Sequence, residues 1–305
     1  MSIRILVTDG MDASAMETLR SDGFEIVEKF YEPAELGTAL RDFDCVIIRS
    51  ATKIKEPQID EAKGSRLKLI IRAGVGVDNI AVSYAQANGI TVKNTPNSSS
   101  NAVAELAIAH LFSCARYISL AGHTMREHLW EKKAYSKGFE LEGKTMGVIG
   151  YGRIGRLVGK KAQGLGMNVL SVVHRNKPEG CECETMHFVS MDELLAQSDI
   201  ITVCAPGAAE GPIISAEAIA KMKDGVVIIN VSRGSNVDEA ALLDALNSGK
   251  VKAAGIDVWM SEKEPNWALA EHPAVSCTPH VGAGTKEAQK KIGKELISVV
   301  KEFFA

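Results

Sequence analysis

The sequence predicts an α/β fold organised in two domains. Short apolar runs alternate with helical patterns along almost the whole chain, which is typical of parallel sheets covered by helices. The chain has 305 residues, more than one ordinary domain, and 46% of them are hydrophobic, so it can bury a sizeable core. A glycine-rich turn lies halfway along, between a strand-like run and a helical pattern.

The first part of the chain is predicted to form a small α/β unit. Strand-like runs and helical segments alternate there over residues 3–7, 12–22, 45–48, 57–63 and 67–71. A loop at 94–97 is followed by a serine run that can cap a helix, and we place a domain boundary in this loop. The apolar segment 102–116 predicts a helix, in which His110 is expected to be a satisfied core or interface residue.

The second part of the chain contains five more runs of the kind that forms buried parallel strands. They cover residues 146–149, 169–173, 200–204, 226–231 and 253–258. An amphipathic helix is predicted over 285–303, because Ala288, Ile292 and Leu296 fall on one face.

The motif Gly150-Tyr-Gly-Arg-Ile-Gly155 directly follows the first of these five runs and directly precedes a helical pattern. Gly150 permits a tight turn, Gly152 lets the backbone approach a pyrophosphate, and Gly155 lets the helix pack closely on the strand. The helix N-terminus adds N–H groups and a positive dipole. This context indicates a dinucleotide-binding turn, and a tight turn that binds nothing is the alternative.

Charge and cysteine usage exclude several classes of protein. The net charge is −3, the pI is near 6.2 and there is no dense run of Lys or Arg, so we expect no nucleic-acid or membrane partner. No apolar stretch reaches the roughly 18 residues of a membrane span, and we expect a cytoplasmic protein. The six cysteines are expected to be reduced. Cys181 and Cys183 lack further ligands at zinc spacing, so no metal site is expected.

Three polar residues are candidates for the edge where open α/β sheets bind ligands, at the carboxyl ends of the strands. Arg233 comes directly after the run at 226–231 and can bind a carboxylate bidentately; a surface arginine is the other interpretation. Glu264 follows the run at 253–258, and His280 precedes a Gly-Ala-Gly stretch. A histidine can carry a proton, and a neighbouring carboxylate can raise its pKa and fix its tautomer.

Together these motifs resemble the D-2-hydroxyacid dehydrogenase family over essentially the whole chain. They occur in the family's order, at residues 150–155, 230–234, 257–258 with 264–265, and 278–280 with Gly282. The resemblance implies a doubly wound parallel-sheet Rossmann cofactor domain, residues 98–283. It is inserted into a smaller flavodoxin-like α/β substrate-binding domain, residues 1–97 plus 284–305. An oxidoreductase that uses NAD(H) and forms a homodimer through its cofactor domains is implied as well.

The resemblance also assigns roles to single residues. Arg233 is expected to anchor the substrate carboxylate, His280 to act as acid/base, and Glu264 to partner His280. The segment from Asp257 to Glu264 is longer than the family spacing, so Glu262 is a rival, although an adjoining proline favours Glu264. Asp257 is expected to assist the cofactor. The expected cofactor-binding residues are Val75, Gly150, Gly152, Arg153, Ile154, Gly155, Val173, His174, Arg175, Cys204, Ala205, Pro206, Val231, Ser232, Arg233, Asp257, His280, Gly282 and Ala283.

The choice between NAD(H) and NADP(H) depends on the end of the strand after the glycine turn. NAD-selective sites usually carry Asp or Glu there, which accepts hydrogen bonds from the adenosine ribose. The resemblance places Val173 at that position, and His174 and Arg175 follow it. Nothing there repels a 2′-phosphate, so we expect NAD(H) to be used and NADP(H) to be accepted also.

Within the family, residues 48–53, 72–79 and 94–97 most resemble phosphoglycerate dehydrogenases. This implies a phosphorylated 2-hydroxy acid as substrate, a role in serine biosynthesis, and no C-terminal regulatory domain. Arg49 and Arg72 each end an apolar run and are expected to bind the phosphate in an interdomain cleft; capping the strands at the surface is the alternative. The expected substrate-binding residues are Arg49, Ser50, Arg72, Ala73, Gly74, Val75, Arg233 and His280.

Two other functions stay open. A glyoxylate or hydroxypyruvate reductase would not need Arg49 and Arg72 to meet a phosphate. A dinucleotide-sensing corepressor would use the fold to sense redox state. The presence of Arg233, Glu264 and His280 disfavours the corepressor, because a sensor needs no proton relay.

Overall fold

The computed structural model describes residues 2–172, 180, 182–207 and 210–305. The chain divides into two compact units, one made of Met1–Ser99 with Ala283–Ala305 and the other of Ser100–Gly282. The predicted boundaries differ from these by one or two residues. One consequence is that Ala283, expected in the cofactor domain, falls in the first unit.

Strands occupy the positions where the apolar runs predicted them, with ends within two residues of the expected ones. Four further strands, β2, β5, β8 and β12, were not predicted. Within the described residues the strands are β1 Arg4–Val7, β2 Glu25–Glu28, β3 Cys45–Ile48, β4 Leu69–Arg72, β5 Thr91–Asn94, β6 Thr145–Ile149, β7 Asn168–Val172, β8 Met186–Phe188, β9 Ile200–Val203, β10 Val226–Asn230, β11 Val251–Ile256 and β12 Val275–Cys277.

Helices separate most of these strands, and the five predicted helical segments are all present. In the described residues they are α1 Ala13–Ser21, α2 Pro33–Leu40, α3 Glu56–Ala62, α4 Val82–Ala87, α5 Ser100–Arg116, α6 Ile118–Arg126, α7 Arg153–Gly164, α8 Met191–Gln197, α9 Ala216–Lys221, α10 Glu239–Ser248, α11 Trp267–Ala270 and α12 Lys286–Phe304. No single described helix has both the length and the apolar composition to cross a membrane. The pair α5 and α6 passes that test together, with a bend of 68° between them.

The first unit is built on a parallel sheet with the strand order β2-β1-β3-β4-β5 among the described residues. Its central strand β3 is buried at every position, which suits four consecutive apolar residues covered on both faces. Two apolar layers lie on the two faces, and α12 packs beside α1 in one of them. The chain's last helix therefore belongs to the unit formed by its first residues.

The second unit is built on a larger parallel sheet, in the order β12-β11-β10-β9-β6-β7-β8 among the described residues. Helices α5 and α7 cover one face, and α8 and α10 contribute to the core on the other. The strand order reverses direction at β6, because the chain adds β7 and β8 on one side and β9 to β12 on the other. This is the predicted doubly wound arrangement, and such a reversal is where these sheets bind ligands.

Candidate active site

The loops that carry the predicted site residues of the second unit leave the sheet along one line. Ile149, Val203, Asn230, Ile256 and Cys277 are register partners in successive pairs, and each is the last residue of its strand. Because the strands are parallel, the loops after β6, β9, β10, β11 and β12 start side by side at the carboxyl edge.

The glycine turn after β6 depends on close backbone contacts. Gly150 has a φ of +95°, and a Cβ on Gly155 would lie 2.1 Å from the Gly150 carbonyl oxygen. A Cβ on Gly152 would meet nothing within 4 Å, so the space beside it is open. Gly152 is also the N-cap of α7 and supplies no side chain, so the first N–H groups of that helix lack a side-chain cap. Open space beside uncapped N–H groups fits a pyrophosphate.

Other predicted cofactor residues surround this turn. Arg153 and Ile154 begin α7, and the segment 204–206 directly follows β9. The Cys204 amide donates to the Ile149 carbonyl (2.8 Å), which holds this segment beside the glycine turn. Burial raises the pKa of Cys204 to about 12, so its thiol stays protonated. Val173, His174 and Arg175, on which the choice between NAD(H) and NADP(H) depends, lie outside the described residues.

The loop after β12 positions His280. Its backbone is in the left-handed region, with φ +54°, and its amide donates to the Asp257 carbonyl (2.8 Å). The carboxylate of Asp257, 1% exposed, accepts hydrogen bonds from the amides of Val281 (2.8 Å) and Gly282 (2.9 Å). Asp257 therefore holds the histidine loop at three successive residues. The cofactor role expected for Asp257 stays a prediction.

The His280 imidazole contacts Glu262, through Nδ1 and Oε1. Among the described residues, Glu264, the partner favoured by sequence, makes no hydrogen bond or ion pair with His280, and its amide donates to Ser261 Oγ (3.4 Å). The carboxylate that contacts His280 is therefore that of the rival, Glu262, and the role of partner stays a prediction. The reason is local: the indole of Trp259 donates to the Thr278 carbonyl (3.2 Å), which holds the start of this loop against the histidine loop, whereas Glu264 lies further along towards α11.

Arg233 follows β10, in extended backbone and half-buried, and its Nη1 donates to the Ser232 carbonyl (2.6 Å). A Cβ on the next residue, Gly234, would lie 2.1 Å from the Trp259 carbonyl carbon. Glycine therefore allows the segment after Arg233 to pack on the segment after Asp257.

Two asparagines that sequence reasoning did not assign hold the Arg233 loop. The Asn230 amide donates to the Arg233 carbonyl (2.8 Å), and its Oδ1 accepts from the Ser232 amide (3.1 Å). The Asn236 amide donates to Ser232 Oγ (3.0 Å) and to the Ala205 carbonyl (3.1 Å), which links the loops after β9 and β10. Both asparagines are at most 1% exposed, and buried amide groups of this kind need hydrogen-bond partners.

The first unit has its own carboxyl edge, where the predicted substrate residues lie. Arg72 ends β4 opposite Ile48, and Arg49 comes directly after Ile48, so the two arginines occupy neighbouring strand ends. The Arg72 guanidinium lies against Gly74, where any Cβ would be 1.3 Å from Nη1. The Arg49 backbone is fixed by Asp9, whose Oδ2 accepts from its amide (2.6 Å). No hydrogen bond or ion pair to the Arg49 guanidinium is found in the described part of the chain.

The other first-unit residues predicted to bind ligands are backbone neighbours of these arginines. The Ala73 amide donates to the Ile48 carbonyl (2.8 Å), and the Val75 carbonyl accepts from Asn94 Nδ2 (2.6 Å). Ser50 is exposed in the turn after Arg49.

A dinucleotide turn, a histidine paired with a carboxylate and an arginine, all at one sheet edge, define an NAD(P)-dependent oxidoreductase. The family described as "D-isomer specific 2-hydroxyacid dehydrogenase, NAD binding domain" matches residues 108–282, and the chain belongs to it. The protein is therefore an NAD(P)-dependent D-2-hydroxyacid dehydrogenase, an enzyme class that acts on small 2-hydroxy and 2-oxo acids.

Three similar proteins place the chain within the family. Hydroxypyruvate reductase from Thermotoga maritima is 41% identical over 97% of both chains. D-3-phosphoglycerate dehydrogenase from Archaeoglobus fulgidus is 40% identical over 95% of this chain and 55% of that protein. The crystal structure of a glyoxylate reductase from Paecilomyes thermophila has a TM-score of 0.89 at 31% identity, covering 98% of this chain and 94% of that one. The chain spans about half the length of the phosphoglycerate dehydrogenases it matches.

Proposed function

We propose that the protein is a D-3-phosphoglycerate dehydrogenase, which interconverts 3-phosphoglycerate and 3-phosphohydroxypyruvate in serine biosynthesis. The observation that carries this choice of substrate is the pair of arginines, Arg49 and Arg72, at neighbouring strand ends of the first unit. Two guanidinium groups suit a phosphate dianion, because each presents planar, permanently charged donors. The similarity to phosphoglycerate dehydrogenases at about 40% identity supports the same choice.

The chemistry assigned to His280 follows from its contact with Glu262. When bound, the nicotinamide accepts the hydride from C2 of the hydroxy acid. The carboxylate accepts a hydrogen bond from the Nδ1–H of His280, which leaves Nε2 free of a proton and able to take that of the C2 hydroxyl as C2–O becomes a carbonyl. Glu262 stabilises the imidazolium that results. In the reverse reaction, Nε2 returns the proton to the carbonyl oxygen.

Arg233 is assigned to the substrate carboxylate. It is half-buried beside the loop of Asp257, and its carbonyl and the preceding residue are held by Asn230. A positioned guanidinium gives two parallel hydrogen bonds to a carboxylate and so fixes the orientation of C2. The other residues expected to bind the cofactor or the substrate, in both units, keep the roles that the family resemblance implies.

One set of rates tests the proposal. Steady-state reduction of 3-phosphohydroxypyruvate, hydroxypyruvate and glyoxylate is measured with NADH and then with NADPH. We expect the highest kcat/KM with the phosphorylated acid and measurable rates with both cofactors. Arg72→Lys and Arg49→Ala should lower kcat/KM for the phosphorylated acid by about 10- to 100-fold and leave hydroxypyruvate almost unaffected. Equal losses on both acids would contradict phosphate binding by these arginines.

A hydroxypyruvate reductase is the second candidate. It is favoured by the match to the Thermotoga maritima enzyme, which covers 97% of both chains. The two candidate substrates share the same carboxylate, C2 and C3, so Arg233 and His280 would have the same roles in both. A kcat/KM for hydroxypyruvate that equals or exceeds that for its phosphate ester would select this candidate.

We also propose a homodimer formed by the second unit. Helix α6 contains no buried residue, and exposed apolar side chains on it and just after it include Ile118, Met125, Leu129 and Trp130. Trp130 is 78% exposed and lies beside Met125 and Leu129, and a contiguous exposed apolar patch marks an interaction surface. Light scattering should give the mass of two chains, and Met125→Glu with Trp130→Glu should give that of one. A monomeric wild-type protein would contradict the proposal.

A further inference from the structure

A buried histidine lies directly behind the acid/base loop. His110, on α5, is 3% exposed and contacts two hydroxyl groups at the end of β12. Its Nδ1 is 3.0 Å from Ser276 Oγ, and its Nε2 is 3.0 Å from Thr278 Oγ1. Thr278 is two residues before His280, so this contact reaches the base of the loop that carries the proposed acid/base.

Strand β11, on which His110 packs, has a glycine at the point of contact. Gly255 lies in the interior of β11, and a Cβ there would be 2.6 Å from the His110 Cβ and 2.8 Å from Ile229 Cδ1. Glycine weakens a strand interior, because it loses more backbone entropy than other residues and packs no side chain. The small residue at Gly255 is therefore what lets the imidazole approach the sheet closely.

Ser276, His110, Thr278 and Asp257 form a chain of hydrogen bonds, and the direction of each bond can be assigned. A carboxylate accepts only, so the Thr278 hydroxyl, 2.6 Å from Asp257 Oδ1, donates its single proton to Asp257. Thr278 Oγ1 must then accept from His110, which places the proton of the ring on Nε2. Burial lowers the pKa of His110, which keeps the ring neutral, and Nδ1 is left to accept from the Ser276 hydroxyl.

This series of hydrogen bonds ends at Asp257, whose carboxylate and carbonyl oxygens hold the histidine loop. Asp257 Oδ1 accepts from Thr278 and from the Val281 amide, Oδ2 accepts from Gly282, and the Asp257 carbonyl accepts from His280. The left-handed conformation of His280 is unfavourable for a residue with a Cβ, so surrounding hydrogen bonds must maintain it. Hydrogen bonds in such a chain polarise one another, so the donor at its far end strengthens the contacts at the loop.

We propose that His110 is a positioning residue for His280, acting through Thr278 and Asp257 to hold the loop in which His280 contacts Glu262. This inference rests on the acid/base role proposed for His280. It extends the site to a residue 170 positions earlier in the chain, in a different helix. His110 itself exchanges no proton with the substrate.

The test compares two substitutions of His110. His110→Gln keeps an N–H donor near the position of Nε2, whereas His110→Met has a similar volume and no donor. We expect His110→Met to lower kcat for reduction of the best 2-oxo acid by about three- to tenfold, the effect of losing one hydrogen bond, with an unchanged KM for NADH. His110→Gln should restore most of the rate. Equal rates for His110→Met and wild type would overturn the proposal.

A second readout does not depend on turnover. The pH at which the His280 imidazole signals titrate is followed by NMR without cofactor, and it should fall in His110→Met because the contact with Glu262 loosens. A control is Leu111→Ala, the next residue of α5, fully buried and outside the chain of hydrogen bonds. It should lower the melting temperature without moving the His280 titration. If it moves that titration as far as His110→Met does, the effect is merely structural and the proposal fails.

Two more variants complete the test. If His110→Met does not fold, Thr278→Val removes the same link from its other side and should move the His280 titration in the same direction; an unmoved titration would overturn the proposal. His280→Asn separates the two ideas. If it keeps wild-type turnover, the proposed acid/base role itself is wrong. If it loses turnover while His110→Met keeps the wild-type rate and titration, only the positioning role is wrong.

Discussion

The glycine turn and the histidine loop lie on the same sheet edge but are built in opposite ways. The turn is held by close backbone contacts, both within the turn and with the segment after β9, and the absence of a side chain at Gly155 is the essential feature. The histidine loop is held by side chains from distant elements: Asp257 from the end of β11, and Glu262 from the loop that follows. The turn has no room for a Cβ at Gly155, and the histidine loop depends on the charge and geometry of each hydrogen-bonding partner.

The largest effect is expected from adding one carbon to the turn. Gly155→Ala would put a Cβ 2.1 Å from the Gly150 carbonyl oxygen, so the helix or the turn must move. We expect a loss of about 3 kcal/mol in the free energy of unfolding, the upper range for overpacking, and loss of NADH binding. Denaturant unfolding and NADH fluorescence titration measure the two.

Gly152→Ala is the matched control for that substitution. Its Cβ meets nothing within 4 Å, so the free energy of unfolding should stay near that of wild type. NADH affinity should still fall by about tenfold, because the added methyl group occupies the side from which a pyrophosphate approaches. If Gly155→Ala is as stable as Gly152→Ala, the turn is not held by the contacts described.

The second-largest effect is expected from removing the imidazole of His280, the proposed acid/base. His280→Asn should lower kcat by about 100-fold or more, the usual size of a general acid/base contribution, while the Kd for NADH changes little. Asparagine is chosen because it tolerates the left-handed conformation of His280 better than alanine, so the loop should persist. Turnover within a fewfold of wild type would remove His280 from the mechanism.

A smaller effect should distinguish the two glutamates. Glu262→Gln should shift the pH profile of kcat/KM for reduction to lower pH, because the imidazolium loses the carboxylate that stabilises its charge. Glu264→Gln, two residues away, should leave the profile in place. The opposite pattern would return the role to Glu264 and show that the loop rearranges when substrate binds.

The smallest effect concerns stability. Because burial lowers the pKa of His110 below its ordinary value of 6.5, the folded state takes up fewer protons than the unfolded state as pH falls through that value. Stability should therefore decrease on acidification from about pH 7.5 to about pH 5.5. The melting temperature of His110→Gln should fall less over this range than that of wild type, whereas His187→Gln, at an exposed site, should behave like wild type. Parallel curves for wild type and His110→Gln would contradict the burial of a neutral ring.

Strands with continuous apolar runs were predictable, and edge strands were not. Cys45–Ile48 and Val226–Asn230 are buried at every position, so their composition alone marks them. Glu25–Glu28 and Thr91–Asn94 lie at the two edges of the first sheet and carry exposed polar residues. An edge strand is defined by its hydrogen bonds to one neighbour, and short polar segments do not reveal these in their sequence.

The sequence by itself determined the α/β fold, the family, the glycine turn and the position of Arg233 after its strand, and it singled out His280 without the strand β12 that precedes it. These features depend on the order and spacing of neighbouring residues, which a sequence states directly. Only the tertiary structure decided that Glu262 and not Glu264 contacts His280, and that buried His110 contacts Thr278. The two glutamates are chemically identical and two positions apart, and His110 is 168 positions from Thr278. Which of them meet is set by how loops from different strands pack, and no local pattern records that.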